Sequence, residues 1–334
     1  MKLHPILPKF MAATLILGAS SQTFAAALNG VEMIGVTDGN GVLTETVHYN
    51  SGFTTLSNLT ASSGLPIGAN GAALQEDDNH GLQVVAFNDL QFVHAIRDVN
   101  GTWTAWGDVY AAVGKLGPVR KAVLCAMPGE MQLLAVTYGG GLFHTVGNNT
   151  SGAWTGWGDV RAFVGGHGPV VDVGCASDYP DQYLQVAMVT SDGGIWHALR
   201  YSDGSWTAFG DVVAANGMNP GRFTAVSMTQ DRGNMQLMAS TEDGGIWHTI
   251  RFSDGSWQGW GWVQGQTGPL ESGGILQLSA TVGYAGAEFT VLKISGIPWW
   301  TTRHDDGTWT AFQDLRAFFG NVANFIGWNL DYYY

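Results

Sequence analysis

A hairpin-like motif recurs along the chain and constrains its fold more than any other feature. Segment 195–212 begins Ile-Trp-His-Ala-Leu-Arg-Tyr-Ser-Asp-Gly-Ser-Trp, and segment 246–260 repeats it almost residue for residue. Looser copies start near Phe92, Leu142 and Pro298. In each copy an alternating stretch runs into a turn and a second stretch opens on a large residue, which predicts a β-hairpin. A unit that recurs about every 50 residues predicts an array of equivalent supersecondary units.

Each repeat has room for four short strands, and the two ends of the chain complement each other. The N-terminal fragment matches strands two, three and four of a repeat at 31–37, 42–48 and 53–59, whereas 321–330 matches a first strand with nothing after it. Pairing of these ends would close a ring and remove exposed sheet edges. We therefore predict an all-β fold, a β-propeller of six four-stranded blades closed by the C-terminal strand, with seven blades or a polar-capped solenoid as alternatives. The fourth strands of the later blades are predicted at 103–109, 154–160, 206–212, 257–263 and 309–315.

The first 27 residues have the pattern of a secretory signal peptide. Lys2 and Lys9 form its positive end, 10–20 is apolar, and the small residues at 25–27 offer a cleavage site. We expect residues 28–334 to form a single exported propeller domain, extracellular or periplasmic. No later segment is apolar over the length that a bilayer requires, so we expect no membrane insertion. The formal net charge of −13 argues against nucleic acid and anionic membranes as partners.

The two cysteines, Cys125 and Cys175, occupy the same position in adjacent repeats. The aligned residue in the next repeat is Met228, which indicates an apolar core position. We favour two buried free thiols, because cysteine is among the most buried residue types. An inter-repeat disulfide is the alternative in an oxidising compartment. No C-x-x-C spacing supports a zinc site, and we expect neither a metal nor a cofactor.

Alignment of the hairpins places chemically related side chains in columns. The column before the turn is Glu45, His94, His144, His197, His248 and Trp300. Three residues later the column is His48, Arg97, Gly147, Arg200, Arg251 and Arg303. The aromatic-rich column after the turn is Phe53, Trp103, Trp154, Trp206, Trp257 and Trp309. Gly-Asp-Val segments follow at Asp108, Asp159 and Asp211.

Tryptophan together with arginine, histidine and aspartate supplies the parts of a sugar-binding site. A flat ring packs against the C–H face of a pyranose, and the polar groups hydrogen-bond its hydroxyls. Each column also has a structural interpretation: tryptophans can fill space between blades, arginines can pair with the Gly-Asp-Val aspartates, and histidines can bond to backbone in the core. We interpret Ser-Asp-Gly-Ser as a tight turn. Our candidate carbohydrate-binding residues are Trp103, Trp154, Trp206, Trp257, Arg97, Arg200, Arg251, His197 and His248.

The run Trp-His-x-hydrophobic-Arg-x-Ser-Asp-Gly-Ser-Trp-x-x-aromatic-Gly resembles the repeat of the PLL-type bacterial β-propeller lectins, a fucose-binding family. The resemblance covers about 31–330 and is strongest at 182–212 and 235–263. It implies several sugar sites between blades that bind fucose or O-methylated sugars. That family has seven blades, whereas this chain shows six repeats. Candidates for inactive sites are those that contain Glu45, Phe53, Gly147 or Trp300.

These observations together predict a secreted multivalent lectin, not an enzyme, whose partners are glycans or glycoconjugates. Several weak sites on one ring would give avidity, and a homo-oligomer is compatible with this function. A propeller glycosidase is the first alternative, since Glu130, Glu242 and Glu288 stand outside the repeated columns. A protein-interaction scaffold is the second. Repetition favours binding, because catalysis normally uses one asymmetric site.

Overall fold

The computed structural model describes residues 30–178, 183–320 and 324–333, so the predicted signal peptide at 1–27 lies outside the described residues. Over these ranges 25 strands and six short helices form six antiparallel sheets, which are the blades of a β-propeller. The predicted count of six blades is confirmed, and the alternatives of seven blades and of a solenoid are wrong. Within the same ranges, no helix has the length and apolar character that crossing a membrane requires.

The elements of the first half of the chain begin with a blade that lacks its own first strand. In chain order they are β1 (Gly30–Thr37), β2 (Leu43–Tyr49), β3 (Gly52–Phe53), β4 (Ser57–Asn58), α1 (Leu59–Ser63), β5 (Gly71–Glu76), β6 (Leu82–Phe87), β7 (Phe92–Arg97), β8 (Gly107–Asp108), α2 (Val109–Val113), β9 (Val119–Met127), β10 (Glu130–Thr137), β11 (Leu142–Asn148), β12 (Gly158–Asp159) and α3 (Val160–Val164). They build blades 1 to 3, with β5–β8 in blade 2 and β9–β12 in blade 3.

The second half of the chain builds blades 4 to 6 and ends with the strand that completes blade 1. Its elements are β13 (Val170–Asp178), β14 (Tyr183–Thr190), β15 (Ile195–Tyr201), β16 (Gly210–Asp211), α4 (Val212–Asn216), β17 (Phe223–Asp231), β18 (Asn234–Thr241), β19 (Ile246–Arg251), β20 (Gly261–Trp262), α5 (Gln264–Thr267), β21 (Ile275–Gly283), β22 (Gly286–Lys293), β23 (Pro298–His304), β24 (Gln313–Asp314), α6 (Arg316–Phe319) and β25 (Phe325–Tyr333). Blades 4, 5 and 6 contain β13–β16, β17–β20 and β21–β24.

The two ends of the chain close the ring. Strand β25 pairs antiparallel with β1, with Met33 opposite Leu330, so the predicted closing strand is confirmed. It begins at Phe325, and the predicted positions 321–323 lie outside the described residues. The first strands of the blades contact one another around a full circle, in the order β25, β5, β9, β13, β17, β21 and back to β25. They enclose a central cavity of about 700 Å³.

The apolar core lies between blades rather than within any one of them. Over the described residues the buried apolar side chains form six clusters, and each draws its members from two neighbouring blades. Between blades 3 and 4, for example, Leu142 and Val160 pack in one cluster with Val186 and Phe209. Trp206 packs against the edge of this cluster, so part of its role is structural.

The turn that follows the third strand of a blade is closed by local hydrogen bonds. In blade 4 the Asp203 carboxylate accepts the backbone N–H of Ser205 at 2.8 Å, and Gly204 has a φ of 85°, which only glycine adopts readily. Asp254 and Gly255 repeat this arrangement in blade 5. The interpretation of Ser-Asp-Gly-Ser as a turn is confirmed.

The predicted fourth strands are mostly absent as ladders within the described residues. Trp206 makes an isolated bridge to Arg200, but pairing resumes only at Gly210–Asp211. Asp211 then caps helix α4 by accepting the Ala214 backbone N–H at 3.0 Å. Asp108 and Asp159 cap α2 and α3 in the same way. The predicted strands were too long, and in blades 2, 3 and 4 an aspartate ends the short strand by starting a helix.

Cys125 and Cys175 form a disulfide, with Cα atoms 6.3 Å apart. It joins β9 of blade 3 to β13 of blade 4 in the wall of the central cavity. The expectation that both residues are buried is confirmed, but the preference for free thiols is wrong. The two cysteines occupy closely corresponding positions on the first strands of adjacent blades, and the ring packs these strands side by side, so the sulfur atoms come within bonding distance. The preference for free thiols rested on residue type alone and took no account of this packing.

Candidate functional site

The columns of the sequence meet in grooves between neighbouring blades. We name each groove by its two blades, so groove 4/5 lies between blades 4 and 5. The earlier blade supplies a histidine from its third strand, and the later blade supplies a tryptophan after its turn. In groove 4/5 the ring centroids of His197 and Trp257 are 5.4 Å apart, with the rings nearly perpendicular at 84°. Arg251 stands beside Trp257, to which it is bridged across the hairpin.

Grooves 3/4 and 5/6 have the same construction. His144 of blade 3 faces Trp206 of blade 4 at 5.6 Å, and His248 of blade 5 faces Trp309 of blade 6 at 5.2 Å. Each tryptophan is again bridged to the arginine of its own hairpin, Arg200 in the first groove and Arg303 in the second. Three grooves therefore present one histidine, one tryptophan and one arginine.

A glutamine on the second strand holds each of these histidines. His197 Nε2 lies 3.0 Å from Gln185 Oε1, and the corresponding glutamine oxygens are 2.8 Å from the His144 ring and 2.9 Å from the His248 ring. In blade 3 the glutamine is itself oriented, because Gln132 Nε2 donates to the Glu130 carboxylate at 3.0 Å. A glutamine carbonyl can only accept, so the histidine Nε2 carries the proton and Nδ1 is the acceptor nitrogen.

Burial keeps these imidazoles neutral. Desolvation, reinforced by the arginine across the groove, lowers the pKa of His144, His197 and His248 to about 3. Burial likewise lowers the pKa of His94 in groove 2/3 to about 4. At neutral pH these four grooves therefore each contain an uncharged histidine, and in three of them the arginine is the cation.

Arg200 has unused hydrogen-bonding capacity. Arg200 is only partly buried, and its Nη1 is enclosed without a hydrogen-bond partner among the described residues. Burial lowers the pKa of Arg200, and the Glu130 and Asp203 carboxylates oppose that shift. A guanidinium always keeps its proton near neutral pH, so the partly exposed Arg200, which is bridged to Trp206 across the hairpin, is a cation with hydrogen-bond donors. The arrangement can bind a ligand that has an apolar face and hydrogen-bond acceptors.

The structure distributes one hairpin over two grooves. Arg200 and Trp206 lie in groove 3/4 with His144, whereas His197 from the same hairpin lies in groove 4/5 with Arg251 and Trp257. The histidine and the arginine of one hairpin therefore do not face a common groove. They are separated by three positions, and alternation along a strand sends them to opposite faces.

Groove 1/2 is closed by ion pairs. Arg97 is only 5% exposed, and its guanidinium bonds to the carboxylates of Glu32 and Glu45 from blade 1, the latter at 2.9 Å. Its guanidinium carbon lies 5.6 Å from the Trp103 ring centroid. Burial raises the pKa of Glu32 to about 8, with Arg97 acting in the opposite direction. Arg97 and Trp103 are thus brought together, but the guanidinium is already occupied by protein acceptors.

Groove 6/1 is filled by its own side chains. Trp300 Nε1 donates to the buried Glu288 carboxylate at 2.8 Å, and His48 Nδ1 lies 3.2 Å from the same oxygen. Phe53 stacks on His48 with centroids 4.4 Å apart. Trp300, His48 and Phe53 stand in the histidine, arginine and tryptophan columns, respectively. Their mutual contacts fill the space that is an open groove between the other blades.

Groove 2/3 has the tryptophan and the histidine without an arginine. His94 and Trp154 are 5.3 Å apart, and Gly147 stands where the other hairpins have a cation. A cavity of about 260 Å³ opens at this groove. All nine candidate residues therefore lie at blade interfaces, distributed over five grooves as Arg97 and Trp103 in 1/2, Trp154 in 2/3, Arg200 and Trp206 in 3/4, Arg251, Trp257 and His197 in 4/5, and His248 in 5/6.

The three glutamates that stand outside the repeated columns do not lie together. Glu130, Glu242 and Glu288 lie on blades 3, 5 and 6, and Glu242 is exposed beside Arg222 at 3.2 Å. The Gly-Asp-Val aspartates cap helices and do not pair with the groove arginines, contrary to the structural interpretation considered above. Among the described residues, no three His, Cys, Asp or Glu side chains are grouped so that they could hold a metal ion.

Sequence reasoning missed the glutamine column. Its members are Gln83, Gln132, Gln185 and Gln236, with Glu32 and Glu288 at the equivalent positions of blades 1 and 6. The available signal was a polar residue recurring at one position of an otherwise apolar second strand, as in Met-Gln-Leu at 131–133 and 235–237. Arg303, Trp309 and His144 were visible in the columns but were not among the candidates.

No family model and no curated protein matches this chain. It is similar to solved structures, including the fungal lectin of Aleuria aurantia, described as a six-bladed β-propeller with a novel fucose recognition mode (17% identity, TM-score 0.58, 86% of this chain and 92% of that one). The BP39L lectin of Burkholderia pseudomallei (14%, 0.59, 86% and 82%) and AofleA of Arthrobotrys oligospora (11%, 0.59, 86% and 86%) are also similar. At these identities the likeness establishes the β-propeller fold.

Proposed function

We propose that this protein is a multivalent carbohydrate-binding protein, a lectin without catalytic activity. The observation that carries the proposal is the threefold recurrence of one constellation, a neutral histidine, a tryptophan ring and a partly buried arginine, in grooves 3/4, 4/5 and 5/6. The ring offers a stacking surface, and the arginine and histidine offer a donor and an acceptor, which suits a pyranose. Several equivalent sites on one ring give avidity to weak individual sites.

Fucose or an O-methylated sugar is the ligand class we propose. Two considerations support it: the resemblance of the hairpin repeat to the PLL-type lectins, and the structural similarity to the fucose-specific lectin of Aleuria aurantia. A methyl group on the sugar would add apolar surface for the tryptophan ring. Glycans or glycoconjugates would then be the partners.

Export of the mature chain is part of the same proposal. The pattern at 1–27 predicts a signal peptide, and the Cys125–Cys175 disulfide supports an oxidising destination, where such bonds persist. Determination of the N-terminus of protein recovered from the culture medium or periplasm tests it. An N-terminus near residue 28 is expected, and a cytoplasmic protein that keeps Met1 would contradict it.

Titration calorimetry with methyl α-L-fucoside tests the binding function. We expect weak saturable binding, and we expect Trp206→Ala and Trp257→Ala together to abolish grooves 3/4 and 4/5, leaving groove 5/6. The apparent number of sites should therefore fall by about two thirds, as loss of a stacking ring costs roughly 1–3 kcal/mol per site. No binding of this or any other sugar on a broad glycan array would refute the lectin function.

A matched control separates groove effects from general damage. Tyr138 is an exposed aromatic residue in the turn at the opposite end of β11 from the hairpin, so Tyr138→Ala should leave sugar binding unchanged. Because Trp206 and Trp257 also pack against the core, Arg200→Ala with Arg251→Ala provides a second test in which the rings remain. Unchanged titrations for both double variants would contradict the proposed grooves.

A further inference from the structure

The three grooves that contain an arginine differ at one position of the second strand. Two residues before the glutamines that hold the histidines stand Glu130 in blade 3, Tyr183 in blade 4 and Asn234 in blade 5. Residues two apart on a strand share a face of the sheet, so each of the three lies on the face that borders its groove. Groove 3/4 therefore has a carboxylate where grooves 4/5 and 5/6 have a phenol and an amide.

Glu130 has an oxygen available to a ligand. Its Oε2 accepts a hydrogen bond from Gln132 Nε2 at 3.0 Å, and Gln132 Oε1 lies 2.8 Å from His144 Nε2. The side chain of Glu130 is partly exposed, and its Oε1 has no hydrogen-bond partner among the described residues. The contact with Gln132 thus fixes the carboxylate beside His144 and leaves one oxygen free.

Arg200 lies near Glu130 in groove 3/4 without pairing with it. Burial lowers the pKa of Arg200, and Glu130 is the stronger of the two carboxylates that oppose this shift. The other is Asp203, which accepts the backbone N–H of Ser205 in the exposed turn. Within the part of the chain that the structure describes, no direct ion pair joins Glu130 to Arg200. A ligand hydroxyl can bridge such a pair, because its oxygen accepts from the guanidinium while its hydrogen is donated to the carboxylate.

We propose that Glu130 determines the specificity of groove 3/4, where its carboxylate accepts a hydroxyl hydrogen of a neutral sugar bound beside Arg200 and excludes anionic sugars. This assignment rests on the proposed carbohydrate-binding function. A carboxylate accepts an O–H more strongly than a neutral group does, and it repels a second carboxylate, most of all where water is partly excluded. Tyr183 supplies no such charge in groove 4/5, so the grooves are not equivalent sites.

Titration calorimetry with groove 3/4 isolated tests the role of Glu130. The background variant is Arg251→Ala with Arg303→Ala, which removes the cations of grooves 4/5 and 5/6. The probes are methyl α-L-fucoside and methyl α-L-galacturonide, which differ only at C6, a methyl group in the first and a carboxylate in the second. On this background Glu130→Gln should weaken fucoside binding about tenfold, through loss of one charge-assisted hydrogen bond. Binding of the galacturonide should not weaken, so the preference for fucoside should fall by at least about tenfold.

The choice of variant separates a contact with the ligand from a structural role. The amide oxygen in Glu130→Gln can still accept from Gln132, so a residue that only positions His144 would leave the preference between the two probes unchanged. The matched control is Glu242→Gln, the same chemical change at an exposed carboxylate that follows β18, at the opposite end of that strand from Asn234. It should leave both affinities within about twofold of the background.

The outcomes distinguish this assignment from the proposed function. Fucoside binding by the native chain overturns the assignment alone if the folded background variant does not bind, or if Glu130→Gln retains the preference. Absence of binding for every sugar on a broad array overturns both. If the background variant does not fold, crystals of the native protein soaked in methyl α-L-fucoside decide the matter. A sugar hydroxyl within hydrogen-bond distance of the Glu130 carboxylate supports the assignment, and sugar bound in the crystal without that contact refutes it.

Discussion

The two grooves that blade 1 forms and the three grooves among blades 3 to 6 use the same sequence columns in opposite ways. In groove 1/2 the column arginine, Arg97, is buried and bonded to two carboxylates, and in groove 6/1 Glu288 binds both Trp300 and His48. In grooves 3/4 to 5/6 the arginines are partly exposed, and Arg200 has an enclosed N–H without a partner among the described residues.

The difference shows what ring closure requires. Blade 1 is assembled from both ends of the chain, so its interfaces must hold the ring together without a covalent connection between its first strand and its second. Buried ion pairs and hydrogen bonds between blades stabilise such an interface, whereas a binding groove needs groups with spare capacity for a ligand. One repeat thus serves closure at blade 1 and, under the proposed function, binding elsewhere.

The largest expected effect is the loss of Arg97. Arg97→Ala would leave Glu32 and Glu45 buried without their cation, and breaking a buried pair this way typically costs about 3–5 kcal/mol. Arg251→Ala, at the same column position in blade 5, should cost no more than about 1 kcal/mol, since the arginine is partly exposed. Guanidinium unfolding curves measure both free energies of unfolding.

Arg251→Ala should reduce fucoside binding more than Arg97→Ala does, which is the reverse of their effects on stability. Arg251→Ala removes the donor of groove 4/5 and should lower the number of fucoside sites, whereas Arg97→Ala should leave grooves 3/4 to 5/6 intact wherever the variant is folded. Equal losses of stability in the two variants would contradict the division between closure and binding grooves.

Much of the fold could be predicted because its main signals are local and periodic. The repeat length, the Asp-Gly turns and the complementary chain ends together predicted six blades and the closing strand. The broken fourth strands could not be predicted in the same way. The Gly-Asp-Val segments suit both a strand and a helix cap, and only tertiary packing decides between them.

The site was predicted in its residue types but not in its assembly. Trp257 and Arg251 lie together as the hairpin pattern suggests, yet their histidine partner is His197, which is contributed by the preceding blade. Contacts between blades depend on how sheets pack around the ring, and a single repeat contains no signal for that. For the same reason the ion pairs of Arg97 could not be predicted, since Glu32 and Glu45 lie far from Arg97 in the sequence.

Removal of the disulfide should lower stability by a smaller amount. It tests whether stability can be reduced without loss of binding within one pair of blades. The bond joins blades 3 and 4 in the wall of the central cavity, which neither Trp206 nor Arg200 lines. Cys125→Ala with Cys175→Ala should lower the free energy of unfolding by about 2–4 kcal/mol. Groove 3/4 should still bind fucoside. A variant as stable as the native protein, compared under non-reducing conditions, would contradict a structural role for the bond.

The smallest effects per residue are pH effects, and they should have opposite signs in the two regions. The pKa of His197 falls to about 3 on folding, so its contribution to stability is present above its ordinary value of 6.5 and is lost as the pH falls below it. The pKa of Glu32 rises from 4.5 to about 8, so its contribution is present below pH 4.5 and is lost as the pH rises toward 8. Each amounts to no more than about 2 kcal/mol over 1.5 pH units.

The free energy of unfolding should therefore have a maximum and decrease toward both lower and higher pH. His197→Gln should make the decrease toward low pH smaller, and Glu32→Gln should make the decrease toward high pH smaller. His197→Gln should reduce the loss between pH 6.5 and 5, because the unfolded chain no longer gains that proton. Glu32→Gln should reduce the loss between pH 6 and 8, because the buried amide holds the place of the protonated carboxyl beside Arg97 and Glu45. If either variant changes the opposite limb instead, the charge states assigned to the two kinds of groove are wrong.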